Sequence, residues 1–466
     1  MKCEVQDVVD TTGAVLSRGD AHREVRGIST DTRSLSRDEF FFALSGPNFD
    51  GNRFAAEAAE RGAAGLMLSD EGGAPPPALR DLPRDTPVLF HRSPRQALSS
   101  LAAWHRSQLA APVIGVTGSC GKTTTKNILV DLLSSRARVV GSPNSFNNDI
   151  GVPHTLFLAD RSTEAVVVEM GTNHPGEIAG LCRTAQPTAG IITNIGAAHL
   201  EGLRSVDGVA AEKGALVESL PADGFCVLNA DCRWTPSLRA RTRARVLTFS
   251  VDGDGDLNAS DVWFHSSGTT FRLDGREITS PLLGLHNVQN LLAALAACSG
   301  LGLALDEVLP AVSKLKPSRR RLERLQAGGM TVIDDSYNAN PESARASVRV
   351  LSGLHGHTRR VLVLGEMLEL GELAAELHHR IGSEAARAGL DLVVLVGDLC
   401  RASAAGALES GLAPDRVVHV ADTDEAIARV PSLLAAGDVV LVKGSRRTGL
   451  DRLVSHLLTL KQEDAA

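Results

Sequence analysis

A nine-residue segment, Thr117-Gly118-Ser119-Cys120-Gly121-Lys122-Thr123-Thr124-Thr125, constrains this chain more than any other, because its glycines and lysine suit a tight turn around a phosphate. The common phosphate-loop pattern asks for Gly, four residues, then Gly-Lys-[Ser/Thr], and Val116 stands where the first glycine belongs. The chemistry survives that departure. Backbone N–H groups from Gly118 to Gly121 can wrap a phosphate, Lys122 neutralises charge, and the Thr123 hydroxyl can reach Mg²⁺. Val113-Ile114-Gly115-Val116 reads as the strand before the loop, and Ile128, Leu129, Leu132 and Leu133 place a helix over 126–133 after it. Nucleotide binding is therefore expected, against the plainer alternative of a Gly/Ser/Thr turn between core elements.

A chain of 466 residues, 43% hydrophobic, is long enough for about three domains of ordinary size. Its seven cysteines, Cys3, Cys120, Cys182, Cys226, Cys232, Cys298 and Cys400, show no C-x-x-C spacing, which predicts reduced thiols and no zinc site. Met1-Lys2-Cys3-Glu4 lacks an apolar signal core, and the longest apolar patch, Leu291 to Cys298, is far short of a membrane span. The chain thus reads as cytoplasmic and not membrane-embedded. A net charge of −7 argues against nucleic acid as a partner, since phosphate backbones demand a basic surface.

Glycines and prolines break the pattern over Glu71 to Pro87, and Lys316-Pro317-Ser318-Arg319-Arg320-Arg321 marks a second boundary. Between them the strand signals at Val139-Val140, Ala165 to Val168, Gly190 to Thr193 and Phe225 to Leu228 predict an open α/β sheet. A strand-rich insert, Arg245 to Leu283, and a helix from His286 to Cys298 follow. Beyond the boundary, strand signals at 331–333, 361–364, 393–396, 417–420 and 439–442 alternate with helical stretches, as in a Rossmann-like, doubly wound sheet. The expected limits are 1–92, 93–318 and 319–466.

Open α/β sheets bind ligands at the carboxyl ends of their strands, so the residues just after each strand matter most. In the central domain these are Glu169-Met170-Gly171-Thr172-Asn173 and Asn194 through Glu201, which contains His199. A carboxylate and an imidazole therefore arrive near Lys122 and Thr123, where a metal needs oxygen or nitrogen ligands. Alone, Glu169 could be a cap, His199 a satisfied core or surface histidine, and Lys213 an ordinary exposed charge.

The compact T-G-x-x-G-K-[ST] loop resembles the ATP loop of the Mur ligases and their relative folylpolyglutamate synthase, which join an amine to a carboxylate through an acyl phosphate. Glu169 in E-M-G-T, His199 in N-I-G-x-A-H-L-E and Lys213 in E-K-G resemble that family's metal carboxylate, metal-binding histidine and carbamylated lysine. Ser145 to Pro153, with Asn147 and Asn148, is similar to the N-x-N-N-x-I-G-x-P segment of the MurF branch, which adds D-alanyl-D-alanine to UDP-N-acetylmuramoyl-tripeptide. Asp334 to Pro341, Leu364 to Gly371 and Val442 to Arg446 resemble its C-terminal signatures. Ser29, Thr30, Asp31, Thr32 and Arg33, with Asp50 and Gly51, resemble the uridine-nucleotide site of its α/β N-terminal domain, to which Asn147 and Asn148 are added as substrate contacts. The chain departs from the pattern at Asn52, Cys120, Ala215 and Asp451, none of them a phosphate or metal ligand.

The resemblance implies an ATP site made of Thr117 to Thr124, with Asn290, Arg321 and Asp335 completing it across domains. It implies Mg²⁺ on Thr123, Glu169, His199 and a carbamate on Lys213, with Lys122, Lys213 and His199 central to catalysis. Tyr337, Asn338, Lys443, Ser445 and Arg446 would face the dipeptide or acyl group. The implied task is a step of peptidoglycan precursor synthesis, carried out by a monomer. Two rivals are another ligase of the superfamily, of the MurE or folylpolyglutamate synthase type, and a nucleotide-driven switch without amide chemistry. The Asn147-Asn148 and Leu364 to Gly371 segments argue against the first.

Overall fold

The computed structural model describes residues 1–46, 49–70, 82–265 and 267–460. Of the predicted break at Glu71 to Pro87, residues 71–81 lie outside the described residues; Leu82 is buried, and a strand follows at Val88–His91.

The central sheet has nine strands. From one edge they run Arg276–Ser280, Gly268–Leu273, Leu257–His265, Arg245–Ser250, Phe225–Asn229, Ala189–Ile192, Val113–Thr117, Ala165–Glu169 and Val139–Gly141. The strands from Leu257 to Val139 in that order pair in parallel, and the two beyond Leu257 add an antiparallel meander; of the insert expected at 245–283, Arg245–Ser250 is therefore a parallel strand of the main sheet and the remainder builds the meander. Val113–Thr117 is buried at every position, as a strand covered on both faces must be. Register places Glu169 opposite Val116 and Ile192 opposite Thr117, so the residues that follow all three strands share one carboxyl edge.

The helix after the phosphate loop spans Lys122–Ser134, four residues earlier than its apolar spacing predicts. Its first turn is Lys-Thr-Thr-Thr, which carries no apolar signal, yet Thr125 N–H already donates to the Gly121 carbonyl at 2.8 Å. The expected helix at 286–298 spans Leu285–Gly300; Asn287 lies inside it, buried, and donates to the Leu283 carbonyl at 2.9 Å rather than capping the helix.

The N-terminal region forms a five-stranded sheet in the order Val15–Arg18, Val88–His91, Gly65–Ser69, Glu39–Phe42, Gly27–Ser29, parallel except for the first pair. The C-terminal sheet has six strands in the order Glu323–Ala327, Met330–Asp335, Val439–Lys443, Arg360–Gly365, Leu392–Val396, Val417–Val420, again parallel except for the first pair. Asp335 and Lys443 are register partners at its carboxyl edge.

One apolar cluster joins the central and third units: Leu200, Leu203, Val209 and Leu283 pack with Ile333, Leu364, Met367 and Leu370. That contact presents the carboxyl edge of the third sheet to the phosphate loop. Among the described residues no helix is long and apolar enough to cross a membrane.

Candidate active site

The two carboxyl edges enclose a cleft of about 1160 Å³. Its floor is the phosphate loop. Gly121 sits at φ +83°, and a Cβ there would overlap the Asn290 side-chain oxygen, so the loop passes Asn290 at a distance only glycine permits. Asn290 is held by its neighbours: its oxygen accepts from the Thr125 hydroxyl at 3.2 Å and its amide donates to Asn287 Oδ1 at 3.0 Å.

Asn194 secures the back of the loop. Its backbone carbonyl accepts from Ser119 N–H at 3.1 Å, and its side-chain oxygen accepts from Cys120 N–H at 3.0 Å. Two of the loop N–H groups expected to wrap a phosphate are thereby occupied within the protein. Lys122 Nζ donates to the Gly118 carbonyl at 2.8 Å. Burial pushes the Lys122 ammonium below the ordinary lysine range, opposed by Glu169 and reinforced by Arg321. An incoming phosphate would restore that lost solvation.

Behind the loop, Asn147 Nδ2 donates to Glu169 Oε1 at 2.9 Å, and Gly171 makes room for it, since a Cβ there would crowd the Asn147 amide at 2.8 Å. Glu169 is 1% exposed, and its Oε2 is buried without a hydrogen-bond partner among the described residues. A buried carboxylate oxygen left unpaired is costly, and a cation is the partner it fits. Among the described residues no three His, Cys, Asp or Glu side chains gather into a metal cage. Mg²⁺ typically takes one or two carboxylates and completes its shell with phosphate oxygens and water, and the unpaired Glu169 oxygen fits such a carboxylate.

Lys213, on the helix Val206–Glu218, is fully buried, and its Nζ has no hydrogen-bond partner among the described residues. It is therefore not the exposed helix charge that its sequence context allows. Burial drives its pKa well below the lysine range, and the nearby Lys122 charge adds to the effect. His199 lines the cleft at φ +55° and its Nδ1 lies 2.7 Å from Glu369 Oε2. Burial and Lys122 lower its pKa, against the opposing contact from Glu369.

The third unit supplies the opposite wall. Arg321 Nη2 donates to the Thr123 hydroxyl at 2.9 Å, the Asn340 amide donates to the Ser119 carbonyl at 3.2 Å, and Glu342 Oε1 accepts from Ala197 N–H at 2.8 Å. The Arg321 and Arg446 guanidinium groups lie 4.2 and 5.7 Å from the Tyr337 ring centre. Lys443 Nζ meets Asp335 Oδ2 at 2.6 Å and the Asn338 carbonyl at 3.1 Å; Asp335 also accepts from the Ser347 hydroxyl. Asp335 and Lys443 are thus joined in one buried, hydrogen-bonded pair. Beside them, burial pushes the His286 imidazole down to about 4, so it is neutral at physiological pH. Ser445 accepts from Leu368 N–H at 2.9 Å, which ties two carboxyl-edge loops together.

The uridine candidates separate into two groups. Ser29 to Arg33 and Asp50-Gly51 follow adjacent parallel strands of the N-terminal sheet and do not line the cleft, whereas Asn147 and Asn148 do. The helix Gly151–Phe157 connects the groups: Asn148 Oδ1 accepts from Gly151 N–H at 2.9 Å, and His154 Nε2 lies 3.0 Å from the Thr30 hydroxyl. Asp31 holds Arg33 at 2.6 Å. The departures from the family pattern are all accommodated: Asn52 Oδ1 accepts from Ser69 N–H, Cys120 Sγ accepts from the Asn194 amide, Asp451 pairs with Arg320 at 2.9 Å, and Ala215 continues the Lys213 helix. Asn194, Asn340, Glu342 and Glu369 contact the site without having been singled out from sequence. Asn194 carries a signal in its place directly after a strand end, and Asn340 and Glu369 in the signature segments 334–341 and 364–371; Glu342 carries none.

Residues 116–298 match the family described as the Mur ligase middle domain, and residues 320–446 match the Mur ligase glutamate ligase domain. The UDP-N-acetylmuramoyl-tripeptide--D-alanyl-D-alanine ligase of Bacillus subtilis (strain 168) is 35% identical over 437 residues, 93% of each chain. Its Escherichia coli (strain K12) counterpart is 37% identical over 442 residues, 92% of this chain and 93% of that one. MurF from Acinetobacter baumannii superposes with a TM-score of 0.89 at 29% identity, covering 98% of this chain and 99% of the other. MurF ligase from Thermotoga maritima in complex with ADP gives 0.81 at 25% identity, covering 95% and 99%.

Gly121→Ala should lower affinity for ATP at least about tenfold, because the new Cβ must displace Asn290 or the loop. Calorimetric titration of the folded variant with ATP checks this, and wild-type affinity would contradict the tight passage inferred for the loop.

Proposed function

The chain belongs to the Mur ligase family, and from that premise we propose that it joins D-alanyl-D-alanine to UDP-N-acetylmuramoyl-tripeptide at the expense of ATP, a step in peptidoglycan precursor synthesis. The relatives that share about a third of its residues over nearly their whole length carry that name. The observation that carries the reading is the contact of Arg321 with Thr123, since it brings a second domain's cation onto the phosphate loop. A simple nucleotide switch has no need of a second wall carrying Tyr337, Asn338, Lys443, Ser445 and Arg446 against its phosphate loop, whereas a ligase must hold two further substrates there. We take 1–92, 93–318 and 319–466 as the three working units, and place the enzyme in the cytoplasm as a monomer.

A carboxylate oxygen is a poor leaving group, so the tripeptide's terminal carboxylate must first be activated. One of its oxygens attacks the γ-phosphorus of ATP, the bond to the β-phosphate oxygen breaks, and ADP departs. The free amine of D-alanyl-D-alanine then attacks the acyl carbon, loses a proton, and inorganic phosphate leaves with the carboxylate's oxygen. Lys122, Arg321 and the N–H groups at the helix start would bear the charge on the transferring group. Thr117 to Thr124 and Asn290 shape the nucleotide cradle, and Asp335 acts through Lys443. Thr123, Glu169 and His199 would hold Mg²⁺, whose chemistry is to neutralise the polyphosphate. Tyr337, Asn338, Ser445 and Arg446 would face the dipeptide and acyl group, and Ser29 to Arg33, Asp50 and Gly51 the uridine nucleotide, with Asn147 and Asn148 toward the muramoyl peptide.

Lys213 carries a carbamate in this reading. Burial disfavours the Lys213 ammonium, the unprotonated amine is the form that adds CO₂, and the product is a carboxylate suited to cations that would repel an ammonium. A lysine with a depressed folded-state pKa binds fewer protons folded than unfolded. Its burial therefore costs stability below the unfolded value of 10.5, and the cost fades as pH rises toward that value. In bicarbonate-free buffer, Lys213→Met should melt higher than wild type at pH 7, with the gap narrowing toward pH 10. Added bicarbonate should stabilise wild type alone, and the variant should lose most ligation activity. A wild type indifferent to bicarbonate, beside an active Lys213→Met, would remove the carbamate.

The overall reading is tested by phosphate release with each substrate omitted in turn. Turnover should require ATP, the muropeptide and the dipeptide together; full turnover without either acceptor would favour the switch.

A further inference from the structure

His199 and Glu369 face each other from different domains, and both hold the left-handed backbone, φ +55° and +65°, that side chains other than glycine rarely adopt. Such strain persists only where the surroundings enforce it. Here the enforcement is visible. The Leu200–Leu203 helix that begins at His199 is buried against Met367 and Leu370 of the loop that carries Glu369. Glu201 N–H donates to the Glu369 carbonyl at 3.2 Å, a backbone bond across the joint. The side chains then meet at 2.7 Å between His199 Nδ1 and Glu369 Oε2, while Nε2 makes no hydrogen bond among the described residues. Glu369 is 43% exposed on its side chain, so as an ion pair the contact adds little stability. Two strained residues and a backbone bond are spent on a pair with little value as glue.

We propose that Glu369, carried by the third domain, is a positioning residue that fixes the tautomer and direction of His199 in the central domain, so that the imidazole is aimed only when the two domains are docked. A carboxylate on Nδ1 requires the proton there and leaves Nε2 with its lone pair toward the cleft, the arrangement that prepares a histidine to bind a cation. Free neutral imidazole favours the proton on Nε2, which blocks that lone pair. Docking of the third domain thus converts His199 into a competent ligand, and assembly of the cation site becomes a consequence of closure. The proposal rests on reading the cleft as the ligase site, while the contact itself does not.

The test uses full-length, ligand-free protein labelled with ¹⁵N-histidine at pH 8, with the His199 signals assigned by their loss in His199→Gln. Wild type should show Nδ1–H and a bare Nε2. Glu369→Ala should populate Nε2–H and lower kcat about tenfold to a hundredfold with KM for the dipeptide little changed, and Glu369→Gln, which keeps an acceptor oxygen, should retain the wild-type tautomer and much of the rate. Persistence of Nδ1–H in Glu369→Ala would overturn the proposal. So would a loss of activity accompanied by expansion in solution scattering, which would make Glu369 a strut. If the tautomer shifts as expected but wild type forms no amide bond, the positioning role stands and the ligase reading fails.

Discussion

Basic side chains on and around the phosphate loop have no carboxylate hydrogen-bonded to them among the described residues, and much of the rest follows from that. Lys122 and Lys126 donate to backbone carbonyls and Arg321 to a hydroxyl. Cations facing neutral oxygens in a buried place cost folding free energy. Phosphate groups offset that cost, so a bound nucleotide stabilises this site as much as the site holds the nucleotide. Lys443 is the exception, because Asp335 neutralises it within the third domain. Removing either partner of that pair should cost about 3–5 kcal/mol, since the other would remain buried and charged.

A site divided between domains must be assembled reproducibly, and the joint has two layers. The apolar layer around Leu200, Leu203, Met367 and Leu370 supplies attraction without direction. Directional contacts then set the register: Asn340 on Ser119, Glu342 on Ala197, Arg321 on Thr123, and Glu369 on His199. All four reach the phosphate loop or the strand-end loop that follows Ala189–Ile192. A shift of the third domain is therefore felt where the γ-phosphate would lie, which suits a reaction whose reactive acyl phosphate has to be kept from water.

The strands of the central and third domains are legible because they are short, continuous apolar runs separated by turns, whereas their order in each sheet is set by long-range pairing that no local run encodes. The phosphate loop was legible because glycine and lysine leave few alternatives there. Lys213 was not. It sits in a polar-looking stretch, Ala211-Glu212-Lys213-Gly214, and no local spacing tells a buried lysine from a solvated one. Its role came from family resemblance, and its burial from the structure. The helix start at Lys122 was missed because threonines carry no apolar periodicity. Glu369 is legible only as part of a family signature, since its partner lies 170 residues away. Asn148 was expected at the substrate, and it also caps the helix that leads to Thr30, a link visible only in three dimensions.

The central claim is that the cleft activates a carboxylate by phosphorylation and then passes the acyl group to an amine. The bonds formed and broken make one atom a witness: the carboxylate oxygen that attacks phosphorus must leave with the phosphate. The most direct measurement is therefore ligation of muropeptide labelled with ¹⁸O in its terminal carboxylate, with mass analysis of the released phosphate. The account predicts one ¹⁸O in the phosphate for each amide formed. Unlabelled phosphate, released while both acceptors are present, would contradict it.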